Sequence, residues 1–233
     1  MKLLAIDTAT EQCSVALLHG TDCLEKCVPT PRGHTDLVLP MIQSLIAETG
    51  ITLNQLDAIA FGRGPGAFTG VRIAIGVAQG LGYALGLPLL PISDLAAIAQ
   101  QAANRLSVGE QVLVCMDARM SEIYTAVFAL GTEGVVFPVG DEQVMPPVQL
   151  QLDQINPRIG LGMGFRAYPV IHDVCRGMEI DDTALPRAQE VAYLAAYDYQ
   201  AGLGVAPNQV SPVYLRDQVV HVKPQTPAVS NIL

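Results

Sequence analysis

Basic residues are scarce in this chain. It carries 13 Lys and Arg against 22 Asp and Glu over 233 residues, a net charge of −9, with a pI near 4.7. No two of the basic residues form a run. A protein that grips nucleic acid by itself needs a basic patch to displace counterions. Autonomous binding of tRNA or DNA is therefore disfavoured. Charge of either sign is sparse, 15% in all, while half of the residues are hydrophobic, enough for a substantial core. At this length one large domain or two small ones is expected.

Several motifs are also missing. The five cysteines, Cys13, Cys23, Cys27, Cys115 and Cys175, form no C-x-x-C and are odd in number. They read as reduced, packed thiols of a cytosolic protein. The four histidines, His19, His34, His172 and His221, include no pair at helical metal-ligand spacing. His34 is followed four residues later by Val38. There is no G-x-S-x-G and no cysteine with a neighbouring histidine, so the common nucleophile signatures are absent. The N-terminal apolar run meets Asp7 too soon for a signal peptide. The longest low-charge stretch, residues 70–92, holds Arg72, Gln79, Pro88, Pro91 and five glycines, which cut a spanning helix short. No membrane segment is expected.

What is present centres on residues 62–72, where Gly62, Gly64, Gly66 and Gly70 fall within nine positions. Glycine lets backbone or ligand approach closely. Between a strand and a helix, such a loop can cradle an anion or seat another backbone. No Lys follows it, and its spacing does not fit G-x-G-x-x-G. Arg63 and Arg72 flank it and suit either a phosphate or a carboxylate on a partner. Asp7-Thr8-Ala9-Thr10 can orient metal-bound phosphates, or can be a turn with local Asx hydrogen bonding. Asp117-Ala118-Arg119 reads as an internal ion pair at a turn rather than a ligand contact.

Along the chain, residues 2–7, 12–19 and 22–28 read as strands. Residues 35–49 read as a helix with Thr35 at its N-cap, Pro40 inside and Gly50 past its end. A strand at 56–61, a helix at 69–85, a strand at 87–92 and a helix from Ser93 to about Leu106 complete a β-β-β-α-β-α-β-α series. From Val112 the pattern restarts at an offset of 110, matching Leu3 with Leu113, Asp7 with Asp117 and Ala16 with Ala126. A duplicated architecture follows. Strands at 112–117, 121–130 and 135–139, a helix at about 187–200 and a strand at 211–216 form an eroded copy. The division expected is 1–106, 107–221 and a mobile tail at 222–233.

The two long helices are richer in apolar residues than one buried face requires. On the first, residues from Leu37 to Ile46 cover an apolar arc of roughly 200°, where packing on a sheet needs little over ~100°. On the second, Gly76-Gly80-Ala84 and Ala74-Ala78-Gly82 place small residues on two faces. Both helices are therefore expected to bury more than one face.

Residues 6–10 with 13–17, the GRGPGAFTGVRI run at 62–73, residues 117–120 and residues 212–216 together resemble the bacterial TsaB (YeaZ) family of the tRNA threonylcarbamoyladenosine pathway. The likeness covers nearly the whole chain, and the 62–73 run is its specific part. It implies an α/β fold of the actin, Hsp70 and sugar-kinase (ASKHA) type, in two β-β-β-α-β-α-β-α lobes with the second degenerate. It implies a cytoplasmic, non-catalytic subunit that pairs with the transferase TsaD, joined by the ATPase TsaE. Alone it would be a homodimer, and it would meet tRNA only through the complex. TsaD carries H-x-x-x-H metal ligands; His34 and Val38 stand there in this sequence, so no metal is implied. No cofactor of its own is implied either. ATP or ADP at the joint between subunits would fall to Asp7, Thr8, Arg63, Gly64, Gly66 and Arg72. The implied partner face is Leu37, Met41 and Ser44 with Ile73, Gly76, Val77 and Gly80. A charge at Leu37 or Met41 should abolish pairing and leave the monomer folded. Two rival readings are an independent actin-like ATPase or kinase and a metallopeptidase.

Overall fold

Alternation along Lys2–Asp7 (β1) assigns each residue to one side of a sheet. Leu3 and Ala5 enter one hydrophobic cluster, Leu4 and Ile6 another. The structure, a computed structural model, describes residues 1–152 and 155–216. β1 pairs antiparallel with β2 (Gln12–His19), which pairs with β3 (Asp22–Pro29). After α1 (His34–Thr49), β4 (Ala58–Gly62) returns parallel to β1. After α2 (Phe68–Leu85), β5 (Leu89–Ile92) lies parallel to β4. The sheet order is β3-β2-β1-β4-β5. α3 (Asp94–Gln100) ends the first half.

The second half repeats this path. Its strands are β6 (Gln111–Arg119), β7 (Glu122–Leu130), β8 (Val136–Pro138), β9 (Gln143–Met145), β10 (Ile159–Leu161) and β11 (Glu179–Asp181). The order β11-β10-β6-β7-β8, read from its other edge, matches the first sheet strand for strand, with β9 added beside β7. The 110-residue offset holds at atomic detail. Asp7 accepts the Ala9 N–H at 3.1 Å, and Asp117 accepts the Arg119 N–H at 2.7 Å.

Erosion of the copy shortens β8, β10 and β11 to three residues each and is greatest in its helices. A short strand and a 3-10 turn stand where α1 would, and α4 (Gly164–Ala167) with a 3-10 turn at Pro169–Asp173 stands where α2 would. Only α5 (Ala188–Gln200) retains length, as the counterpart of α3. The two long helices of the first half thus have no equivalent in the second.

The halves also exchange their last helices. α3 lies against β6, β7 and β8, while α5 lies against β1, β2, β4 and β5. Both join one central cluster with the facing sides of the two sheets. Two outer clusters flank it. α1 and α2 cover the first sheet with Val38, Leu45, Val71 and Ala78. Phe165, Ile171 and Leu150 cover the second. Beyond α5, residues 203–216 cross back to the first half. Val205 bridges Leu89 through two bonds of 2.9 Å, and Gln79 donates to Pro207 O at 3.0 Å.

Several expectations need correction. Thr35 is not a cap; α1 begins at His34 behind Gly33, whose φ of 92° is left-handed. Ser93 does cap α3, accepting from the Ala96 N–H at 3.2 Å. That helix stops at Gln100, and a separate 3-10 turn holds Ala103–Arg105. Residues 211–216 are extended but pair with no sheet. The expected tail at 222–233 lies outside the described residues.

Candidate functional site

The glycine loop is seated on the β1–β2 turn. A Cβ on Gly70 would stand 2.0 Å from the Thr8 carbonyl oxygen, and one on Gly66 2.7 Å from that of Ala9. Thr8 donates to Gly70 O at 2.7 Å, and the Ala67 N–H donates to Ala9 O at 2.7 Å. The Arg63 N–H bonds Ile92 O, and the Gly64 N–H bonds the Asp94 carboxylate. Backbone of the β1–β2 turn thus packs directly on the loop. Of the two roles open to such a loop, this one seats another backbone.

Asp7 is likewise turned inward. Asp7 and Asp94 are both fully buried. A Cβ on Gly62 would meet Asp94 Oδ1 at 2.4 Å and Asp7 Oδ2 at 2.5 Å. Apart from each other, neither of those oxygens has a protein partner. Burial raises the pKa of Asp94 well above the usual carboxylate range, and the adjacent Asp7 adds to it. Asp7 is raised too, by burial first. Two like acids in one dry site cannot both ionise easily. This pair suits a shared proton. Asp7 is thus turned away from the surface, against Asp94.

A cleft of about 480 Å³ does open beside the N-terminus of α2. Its lining includes Thr10, Arg32, His34, Thr69, Asp117 and Arg119. Of the residues named for a nucleotide, Thr8 and Gly66 line it, and Asp7, Arg63, Gly64 and Arg72 do not. Arg63 pairs with Glu142 at 3.2 Å. The Arg72 guanidinium stacks 3.2 Å over the Phe68 ring. Arg119 bonds Asp117 at 2.8 Å, the ion pair expected at that turn, and also meets Glu11 of the first half. His34 Nε2 bonds Thr10 O at 2.9 Å.

The thiols are packed as expected, except Cys27, which is exposed. Burial holds Cys13 and Cys175 at about 11 and Cys23 and Cys115 at about 12, while partial desolvation, with the nearby Glu25 carboxylate, holds the exposed Cys27 at about 11. Among the described residues, no three His, Cys, Asp or Glu side chains gather as a metal group. His221 lies outside them.

The expected partner face divides. On α2, Ala74, Ala78 and Gly82 are buried, with a Cβ on Gly82 only 2.7 Å from Leu89. Gly76 and Gly80 are exposed, and a Cβ on either would meet nothing within 4 Å. Ile73 and Val77 flank them half-buried, and Leu37 is half-buried and Ser44 exposed on α1. Met41 is different. It is 7% exposed and belongs to the cluster under α1. A charge there would attack the core, so the expectation of a folded Met41 variant is corrected. Leu39, placed inside the apolar arc by angle, is 48% exposed. α2 is long and apolar enough to cross a membrane by length and composition; here one face packs on β4 and the other is uncovered.

A family model described as TsaD, tRNA N6-adenosine threonylcarbamoyltransferase, matches residues 28–222. A Haemophilus influenzae protein named tRNA threonylcarbamoyladenosine biosynthesis protein TsaB is 40% identical over 234 residues, 96% of this chain and 97% of its own length. The chain belongs to the TsaB family. The Escherichia coli protein of the same name is 38% identical over 228 residues, with 96% and 98% covered. YeaZ from Pseudomonas aeruginosa superposes with a TM-score of 0.81 at 41% identity, over 92% of this chain and 99% of that one. A second Pseudomonas aeruginosa structure, described as an uncharacterized protein with similarity to peptidase YEAZ, gives 0.85 at 44% identity with the same coverage. The doubled sheet order is the actin, Hsp70 and sugar-kinase plan expected of TsaB, with an eroded second lobe.

Sequence reasoning missed Asp94, Arg32, Arg119 as a cleft residue, and the contacts of Tyr214 and Arg216. Nothing local ties Asp94 to Asp7; they meet only because β5 lies beside β4, and β4 beside β1.

Proposed function

We propose that this chain is a non-catalytic subunit of tRNA threonylcarbamoyladenosine biosynthesis. It binds the transferase TsaD and supports transfer of threonylcarbamoyl from threonylcarbamoyl-AMP to the adenosine beside the anticodon, in tRNAs reading codons that begin with A. The observation that carries this reading is the outer face of α2. Glycine in a helix interior costs about 1 kcal/mol relative to alanine. Among the described residues, nothing requires glycine at Gly76 and Gly80. Small residues four apart with apolar neighbours suit close approach by a second helix. The names of relatives near 40% identity support the pathway. The match to the TsaD model supports a partner with the same helices.

The chemistry of the chain supports a non-catalytic role. Its thiols are held far above neutral pH, its turn acid is buried, and its glycine loop is bonded to the β1–β2 turn. TsaE would join the pair, and two copies would cover each other's α2 face when TsaD is absent. With net charge −9, tRNA would be met through the complex, in the cytoplasm. A nucleotide shared with the partner would lie in the cleft beside α2, lined by Arg32, His34 and Arg119. Reconstituted tRNA modification tests the reading. Product should require this chain in addition to TsaD and TsaE, and the chain alone should give none. Full modification without it would refute the role.

A further inference from the structure

The outer strip of α2 is shaped like a saddle. Phe68 stands at one end, 63% exposed, and Tyr83 at the other, 84% exposed. Between them Arg72, Gly76 and Gly80 follow at helical spacing, over a helix roughly 27 Å long. Gly76 and Gly80 form the flat seat. The Phe68 end is more elaborate than a lone exposed ring. Tyr214, from residues 203–216, stacks on Phe68 with ring centroids 6.1 Å apart and planes at 23°. The Arg72 guanidinium lies 3.2 Å from the Phe68 centroid and 5.0 Å from that of Tyr214.

This cluster is held from both lobes. The Val213 N–H donates to Arg63 O at 3.0 Å, beside Gly64, where a Cβ would stand 2.8 Å from Val213 O. Arg216 donates to Glu122 at 2.9 Å and to Ala118 O at 3.1 Å. Tyr214 is thus pinned between the glycine loop and the β6–β7 turn. Arg72 donates to Phe68 O at 3.1 Å and has no acidic partner among the described residues. A guanidinium has five donors. Most of those on Arg72 remain available, on an exposed and preorganised plane.

We propose that the Phe68–Arg72–Tyr214 cluster is a carboxylate receptor, which anchors an acidic side chain on the partner helix seated over Gly76 and Gly80. This rests on the reading of α2 as the face for TsaD and adds its electrostatic anchor. A stacked guanidinium presents a rigid fork that matches a carboxylate. Aromatic residues and arginine are the side chains that dominate interface energetics. A tRNA phosphate is the competing occupant. The surroundings argue against it, because the arginines tied to this cluster through residues 213–216, Arg63 and Arg216, are each paired with an acid, Glu142 and Glu122, and form no free basic patch with Arg72. Arg216 is a positioning residue, since it holds Tyr214 without facing the partner.

The test measures affinity between the full chain and TsaD of the same cells, over a range of salt concentrations, with thermal unfolding of each free variant. Arg72→Ala should weaken the pair about tenfold or more and flatten its salt dependence. Arg72→Lys should restore little, because a point charge lacks the planar fork. Tyr214→Ala should weaken it several-fold, and Tyr214→Phe should bind as the parent does. Arg216→Ala should act like Tyr214→Ala and lose its effect in the Tyr214→Ala background. The free variants at 72 and 214 should unfold at the parental temperature. Gly80→Leu separates the two readings. If Gly80→Leu abolishes pairing and Arg72→Ala does not, the anchor is refuted. If Gly80→Leu pairs normally, the reading of the α2 face fails as well. Loss of tRNA affinity by the assembled complex with pairing intact in Arg72→Ala would overturn the carboxylate assignment for a phosphate.

Discussion

Replacing Gly76 and Gly80 together by alanine should make this protein more stable and less able to pair. Both glycines lie inside α2, the 18-residue helix Phe68–Leu85. Neither has the left-handed backbone that would demand glycine, and an added methyl would meet nothing within 4 Å. Each change should therefore recover the helix-propensity difference, about 1 kcal/mol. The two together should add about 2 kcal/mol. For a domain of this size, 1 kcal/mol moves Tm by roughly 2–4 °C, so the double variant should melt roughly 4–8 °C higher. Thermal unfolding at low micromolar concentration measures this, with independence from concentration checked because self-association raises Tm. The same methyls would hold a partner helix off the seat, so affinity for TsaD should fall. A lower Tm would show that the chain needs these glycines for its own packing. A higher Tm with undiminished pairing would remove α2 as the docking face.

Other outcomes follow from the buried groups. Asp94 and Asp7 both have raised pKa values in the fold. The folded state thus keeps a proton that the unfolded chain releases above about 3.8. Stability should decline as pH rises through that window. Asp94→Asn should flatten the decline, read as urea midpoints at acid, neutral and alkaline pH; an unchanged profile would refute proton sharing. Gly70→Ala forces a methyl to within 2.0 Å of the Thr8 carbonyl oxygen and should cost about 3 kcal/mol or more, measured by denaturant unfolding. Met41→Asp should unfold the chain by burying an unpaired charge. Ser44→Arg, on the exposed side of α1, should keep the parental circular dichroism melt and lose pairing.

Local pattern was enough for much of this fold. Lys2–Asp7 and Gln12–His19 match the expected strands to the residue, because alternation and turn residues bound them. The duplication was visible through Asp7 and Asp117, which make the same turn bond in both sheets. What local pattern did not carry was decided at long range. Residues 211–216 have strand composition, yet they join neither sheet; Val213 bonds Arg63 O, and Arg216 fixes them to a turn nearly a hundred positions away. Met41 falls on the apolar edge of α1 by angle, but the cluster over the first sheet takes it in. Arg63 and Arg72 flank the glycine loop in sequence, and the loop's course sends one to Glu142 and the other onto Phe68. The surplus small residues of α2 did signal an outer face, since one stripe lies in the core and the other is bare.

The exchange of α3 and α5 has a consequence for how the chain is made. The inner side of the first sheet is finished when β5 ends at Ile92, but its covering helix starts only at Ala188. At translation speeds of about 5–20 residues per second, the ribosome takes roughly 5–20 s to supply that helix. During that interval Leu3, Ala5, Ala60 and Leu90 have only part of their final covering. The first half should therefore present apolar surface to holding chaperones during synthesis. A chain truncated before α5 should collect with them rather than accumulate as a free lobe.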